Sequence, residues 1–144
     1  MTGQPKPLIL VVDDDIFQHK IVEMILGRDG YQLAFASGGE EALRFVEQTH
    51  ADLILMDVQM PELSGLETTR RLKSQPHLAH MPILMISGAS DDKVVAQCLQ
   101  SGAADFVLKP FDRVILPAKV ALLLGLAANA HQQATGEEKN GTKA

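Results

Sequence analysis

The chain has very little cysteine, no tryptophan and no concentrated positive charge. Cys98 is its one cysteine, which excludes an internal disulfide framework and fits a reducing compartment. Tyrosine occurs once, at Tyr31, and the formal net charge is −5. Phosphate contacts need clustered Lys and Arg, so direct nucleic-acid binding is not expected. The longest apolar stretch, "VALLLGLAANA" from Val120 to Ala130, falls short of the roughly 20 residues that span a bilayer. The start, "MTGQPKPLIL", lacks the charged-then-apolar build of a signal peptide. Internal repeats and a second-domain pattern are missing too. A cytoplasmic protein without membrane contact is expected. At 144 residues a single domain is expected, large enough to bury about 68–70% of the surface its unfolded form exposes.

What is present is alternation. Apolar stretches recur at Leu8–Val12, Tyr31–Ala36, Leu53–Asp57, Pro82–Ser87 and from Ala104 or Asp105 to Lys109. The first, third and fourth are almost wholly apolar, as in strands covered on both faces. The second alternates more and suits a position nearer an edge.

Amphipathic stretches lie between them. Ile16–Arg28 places Phe17, Ile21, Met24 or Ile25, and Arg28 at helical spacing, and Asp29-Gly30 ends it. Ser37 with Glu40, and Ser64 with Glu67, have the spacing of capping boxes. "SDDKVVAQCLQSG" opens on Ser90 and two acids, which suit a helix N-terminus, and Gly102 stops it. A last helix is expected within Asp112–Ala128, with Pro117 either in its first turn or distorting that turn. From Asn129 the sequence becomes polar and aperiodic, so residues 129–144 are expected to form a disordered tail behind a domain of residues 1–128. The order βαβαβαβαβα argues for a parallel α/β sheet with helices on both faces.

In such sheets, sites form beyond the carboxyl ends of the strands. Asp13 and Asp14 follow the first apolar stretch, Asp57 ends the third, Ser87 the fourth, and Lys109-Pro110 the fifth. Three carboxylates at one rim repel each other. A hard divalent cation relieves this, and Mg²⁺ binds through one or two carboxylates plus a phosphate. Lys109 adds positive charge, so the rim suits a phosphoryl group. An aspartate is already ionised at pH 7 and needs no general base to act as nucleophile. Asp57, standing alone before a turn-rich loop, suits attack. The Asp13–Asp14 pair suits the metal.

Each residue alone has a plainer reading. A lone aspartate is surface charge, Ser87 could cap a turn, and Phe106 could be core. Cys98, among Val94, Val95 and Leu99, suits a small buried hydrophobe. The five histidines show no ligand spacing.

The pieces "ILVVDDD", "DLILMDVQMPELSGLE", "PILMISGA" and "GAADFVLKPF" together resemble the receiver domain of two-component response regulators, over roughly Leu8 to Leu124. The resemblance implies a flavodoxin-like doubly wound fold, a five-stranded parallel sheet of order 2-1-3-4-5. It implies that Asp57 accepts phosphate from a phosphohistidine on a sensor histidine kinase or phosphotransfer protein. Asp13 and Asp14 would hold Mg²⁺ with Asp57 and the backbone carbonyl of Gln59. Lys109 would pair with the phosphate, and the Lys109–Pro110 bond would be cis. Ser87 would close on the phosphate and Phe106 would swing inward, altering the face of the fourth helix, fifth strand and fifth helix that a downstream protein reads. Gly88 would leave room for phosphate, and Gln59 and Ala89 would tune the lifetime of the phosphorylated state. Asp15 has no such duty and suits the cap of the first helix. A monomer or a phosphorylation-dependent dimer is expected, acting as a switch rather than an enzyme.

Three alternatives compete. A Mg²⁺-dependent phosphatase with an Asp nucleophile resembles Asp-x-Asp-x-Thr after the first strand, which "DDDIF" lacks. A flavin site needs a phosphate loop there, which three aspartates would repel. The chain could also be a receiver cut from a larger hybrid kinase or cyclic-dinucleotide regulator.

Overall fold

The computed structural model describes residues 6–88 and 92–140, with side chains as far as Ala128. Five strands, β1 (Leu8–Val12), β2 (Gln32–Ala36), β3 (Leu53–Asp57), β4 (Ile83–Ser87) and β5 (Asp105–Leu108), alternate with α1 (Ile16–Leu26), α2 (Gly39–Gln48), α3 (Gly65–Lys73), α4 (Asp92–Gln100) and α5 (Ile115–Asn140). All strand pairs are parallel, in the order β2-β1-β3-β4-β5. This is the expected doubly wound sheet.

The apolar stretches explain the order. Every residue of β3 and β4 is buried, and so is β1 beyond Leu8. The half-exposed β2 and β5 form the edges. Side chains alternate between faces with period two. Leu10, Val12, Ile54, Met56, Ile83 and Met85 therefore join one core, with Val46 of α2, Leu72 of α3 and Cys98 of α4. Ile9, Val11, Leu53, Leu55, Leu84 and Ile86 join the other, with Val22 and Leu26 of α1 and Leu116, Val120 and Leu123 of α5. Full burial of each large aliphatic side chain contributes roughly 1.5–3 kcal/mol.

This arrangement sends the chain after β1 to one face and after β3 to the other. The crevice between their carboxyl ends is the switch point at which α/β sheets bind ligands.

Several local expectations are corrected. Helix α2 starts at Gly39 with Gly38 as its cap and no side-chain cap bond. Ser37 instead donates its backbone N–H to Glu41 at 2.8 Å, so the Ser37–Glu40 capping box does not form. On α1 the residues that bury are Val22 and Leu26, while Phe17 and Met24 are 68% and 67% exposed. Apolar residues surround this helix, so their spacing identifies a helix without choosing its buried face. Helix α5 is described as far as Asn140. Residues 141–144, and with them the end of the expected tail, lie outside the described residues.

Other expectations hold. Asp15 caps α1 by accepting from the Phe17 N–H at 2.9 Å. Ser64 caps α3 by accepting from the Glu67 N–H at 3.1 Å, the first half of the expected box, while the Glu67 carboxylate pairs with Arg70 and Arg71. Gly30 ends the α1 segment with φ 82°, and Gly102 follows α4 with φ 107°. Pro117 falls in the first turn of α5, where the Asp112 carboxylate accepts from Val114 and Ile115 at 2.7 and 2.8 Å. Those two bonds hold the Asp112 carboxyl below the usual carboxylate range. Ser90 and Ala89 lie outside the described residues.

Candidate functional site

Parallel pairing brings the strand ends into line. Val12 pairs with Met56, Asp57 with Ile86 and Ser87 with Leu108. The ladder runs on past the strands through Asp13 N–H to Ala36 at 3.1 Å, Val58 N–H to Ile86 at 2.9 Å and Lys109 N–H to Ser87 at 2.9 Å. The residues that follow the apolar stretches thus share one rim.

Asp13, Asp57 and Ser87 are buried there, at 1%, 5% and 4% exposure. Asp14 is exposed. One carboxylate oxygen from each of Asp13, Asp14 and Asp57 fits within 4.8 Å of the others. The Lys109 ammonium stands 3.3 Å from Asp13 Oδ2 and 3.4 Å from Asp57 Oδ1. It pairs with both by charge, yet among the described residues Asp13 Oδ2 receives no aligned hydrogen bond. Asp13 Oδ1 accepts from the Asp15 N–H at 2.9 Å.

The charges are unbalanced. Burial pushes the Asp57 carboxyl up to about 6, the Asp13 charge adds to the rise, and Lys109 offsets only part of it. Burial pulls the Lys109 ammonium down, but Asp57 and Asp13 outweigh it and the net direction is up. Like charges sharing a buried site disfavour ionisation. A cation beside the carboxylates reverses that preference.

The donor set fits such a cation. It is all oxygen, it includes a buried carboxylate oxygen without a hydrogen bond, and it opens onto an exposed Asp14. Hard divalent cations bind oxygen ligands and retain several waters.

Asp13, Asp14, Asp57 and Lys109 are therefore brought together. Ser87 stands on the same rim, one residue past the partner of Asp57. The Lys109–Pro110 peptide bond is cis. Gln59 lies exposed in the loop after β3. Phe106 is not among the carboxylates. It is half-buried on β5 and packs against the core shared with α4. Lys119 of α5 holds that strand: its ammonium donates to the Phe106 carbonyl at 2.7 Å, lies 5.1 Å from the ring centroid and pairs with Asp105 at 3.3 Å.

Two contributors escape the sequence reading. Gly65 opens α3 directly behind Asp57. A Cβ there would lie 1.8 Å from the Asp57 carbonyl oxygen, and its N–H donates to Val58 at 2.9 Å. Its signal was a glycine directly after the Ser64 cap, a poor helix former where the chain had better choices. His19 lies beneath the rim, with Nε2 at 2.7 Å from the Asp13 carbonyl oxygen. Lone spacing gave it no signal, because its partner is a backbone atom.

Comparison with known proteins points the same way. Residues 9–121 match the response regulator receiver domain model. The chain is 39% identical over 114 residues to the CAI-1 autoinducer sensor kinase/phosphatase CqsS of Vibrio cholerae, covering 78% of this chain and 17% of that protein. It is similar in structure to the receiver domain of a signal transduction histidine kinase from Syntrophus aciditrophicus, at TM-score 0.77 and 39% identity, covering 83% of this chain and 90% of the other. It is also similar to the receiver domain of a sensor histidine kinase from Pseudomonas aeruginosa, described with a magnesium ion coordinated in its active-site cleft, at TM-score 0.78 and 30% identity over 84% and 99% of the two chains. The chain spans 17% to 51% of the length of the first curated relatives it matches. Among the described residues no helix is long and apolar enough to cross a membrane. Strand order, acidic rim and family match agree, and the chain belongs to the response regulator receiver domains of two-component signalling.

Proposed function

We propose that the chain works as a phosphorylation switch in which Asp57 accepts a phosphoryl group from a phosphohistidine on a sensor histidine kinase or phosphotransfer protein. The observation that carries this is the pair of distances from Lys109, 3.3 Å to Asp13 and 3.4 Å to Asp57, around a buried carboxylate oxygen without a hydrogen bond. One lysine shared between two buried carboxylates leaves excess negative charge on the rim, which suits a cation and a phosphoryl group.

A carboxylate oxygen of Asp57 attacks phosphorus in line. The new P–O bond forms as the P–N bond to the donor imidazole breaks, and that nitrogen takes the electron pair. Lys109 faces the charge on the transferred group and stabilises it as it develops. Asp13, Asp14, Asp57 and the Gln59 backbone carbonyl would hold Mg²⁺, which supplies further positive charge beside the phosphoryl oxygens. Ser87 donates its hydroxyl to the phosphoryl group, and Phe106 turns inward from β5. The face made by α4, β5 and α5 then changes, and a downstream protein reads it. The module turns over no separate substrate and operates in the cytoplasm.

The test is phosphate incorporation from acetyl phosphate, read by intact mass. Incorporation is expected only with Mg²⁺ and not in Asp57→Asn. Unchanged incorporation in that variant would sink the assignment.

A further inference from the structure

His19 is a histidine to which the proposed mechanism gives no part. It lies on α1, and its ring stacks on Phe35 of β2 with centroids 5.0 Å apart and 29° between planes. Its Nε2 lies 2.7 Å from the Asp13 carbonyl oxygen. A carbonyl can only accept, so Nε2 carries the proton and donates.

This completes the grip on Asp13. Its N–H donates to Ala36 at 3.1 Å, its Oδ1 accepts from Asp15 at 2.9 Å and its carbonyl accepts from His19. Oδ2 alone is left without a hydrogen bond. The gripped carbonyl belongs to the peptide that joins Asp13 to Asp14, the two carboxylates at the end of β1. Fixing that peptide plane fixes the direction in which both side chains leave the backbone. The stacked Phe35 ring in turn fixes the imidazole, so α1, β2 and the acidic rim are tied through one side chain.

We propose that His19 is a positioning residue for the acidic rim, holding the Asp13–Asp14 peptide so that both carboxylates are set for a divalent cation before it arrives. This rests on the reading of the rim as a cation site. Preorganised ligands lose less freedom on binding, and outer partners of metal ligands typically change affinity 10–100-fold.

The test titrates Mg²⁺ into the wild type, His19→Phe and His19→Gln, followed by amide chemical shifts. Phe keeps a ring to stack on Phe35 and loses the donor. Gln loses the ring and keeps an amide N–H in place of Nε2. Mg²⁺ affinity is expected to fall about tenfold or more in His19→Phe and to return to within about threefold of wild type in His19→Gln. A purely structural role would make the metal-free unfolding midpoint follow the ring while Mg²⁺ affinity stayed at the wild-type value in both variants. Wild-type affinity in His19→Phe, or a Gln variant as weak as the Phe variant, would overturn the proposal. A wild type that shows no Mg²⁺ response would overturn the reading of the rim itself, and this inference with it.

Discussion

The two ends of the sheet treat aspartate in opposite ways. At the amino end, both oxygens of Asp52 are used: Oδ2 accepts from the Leu8 N–H at 2.7 Å and Oδ1 meets His50 Nε2 at 3.2 Å. Its own N–H donates to the Leu8 carbonyl at 2.8 Å. Nearby, the Lys73 ammonium donates to the carbonyls of Leu78, Ala79 and Met81. At the carboxyl end three carboxylates crowd together, one lysine pairs with two of them, and Asp13 Oδ2 has no hydrogen bond among the described residues. The same residue type closes the fold at one end and holds it open for a ligand at the other. Crowding buried carboxylates lowers stability, and the proposed cation site accounts for it.

Substitutions at the two ends should therefore differ in kind. The largest effect is expected from Lys109→Met, which keeps the aliphatic stem and removes the charge. The rate of phosphate incorporation from acetyl phosphate should fall about 10²–10³-fold, the scale on which one charge-stabilising donor acts. Rapid-quench kinetics would show it. Gly65→Ala comes next. Alanine favours a helix by about 1 kcal/mol over glycine, yet its Cβ would meet the Asp57 carbonyl. Denaturant unfolding should show a net loss of about 1–3 kcal/mol, with slower incorporation because Asp57 is displaced. The smallest effect belongs to the other end. Asp52→Ala should cost about 1 kcal/mol of stability through the lost Leu8 bond and leave incorporation unchanged.

The legible part of this molecule was the part written in single residues along the chain. Strands β1, β3 and β4 bury on both faces, so their apolar stretches were unambiguous. The rim residues stood at the ends of those stretches, and the resemblance gave them their order across the sheet. What was not legible depended on atoms far apart in sequence. Gly65 matters because α3 begins against the Asp57 carbonyl. His19 matters because a backbone oxygen six residues earlier faces it. The buried face of α1 is not legible because apolar residues surround that helix and only the tertiary fold selects Val22 and Leu26. Ser37 does not cap α2 because Gly38 takes the cap position and Glu41 reaches back instead of Glu40.

The central claim is that the carboxyl end holds Asp57 at a cost to the metal-free fold. The most direct measurement is denaturant unfolding of the wild type and Asp57→Asn without Mg²⁺, from pH 7 down to pH 4. Folding raises the Asp57 carboxyl from 3.8 to about 6, so between those values the folded form binds more protons than the unfolded form. Wild-type stability should accordingly rise as pH falls through about 6 towards 4. The neutral Asn variant lacks this dependence. It should be more stable than wild type at pH 7 by about 3 kcal/mol, and the gap should close on acidification. An Asn variant less stable than wild type at pH 7, or a gap that does not change with pH, would contradict the claim.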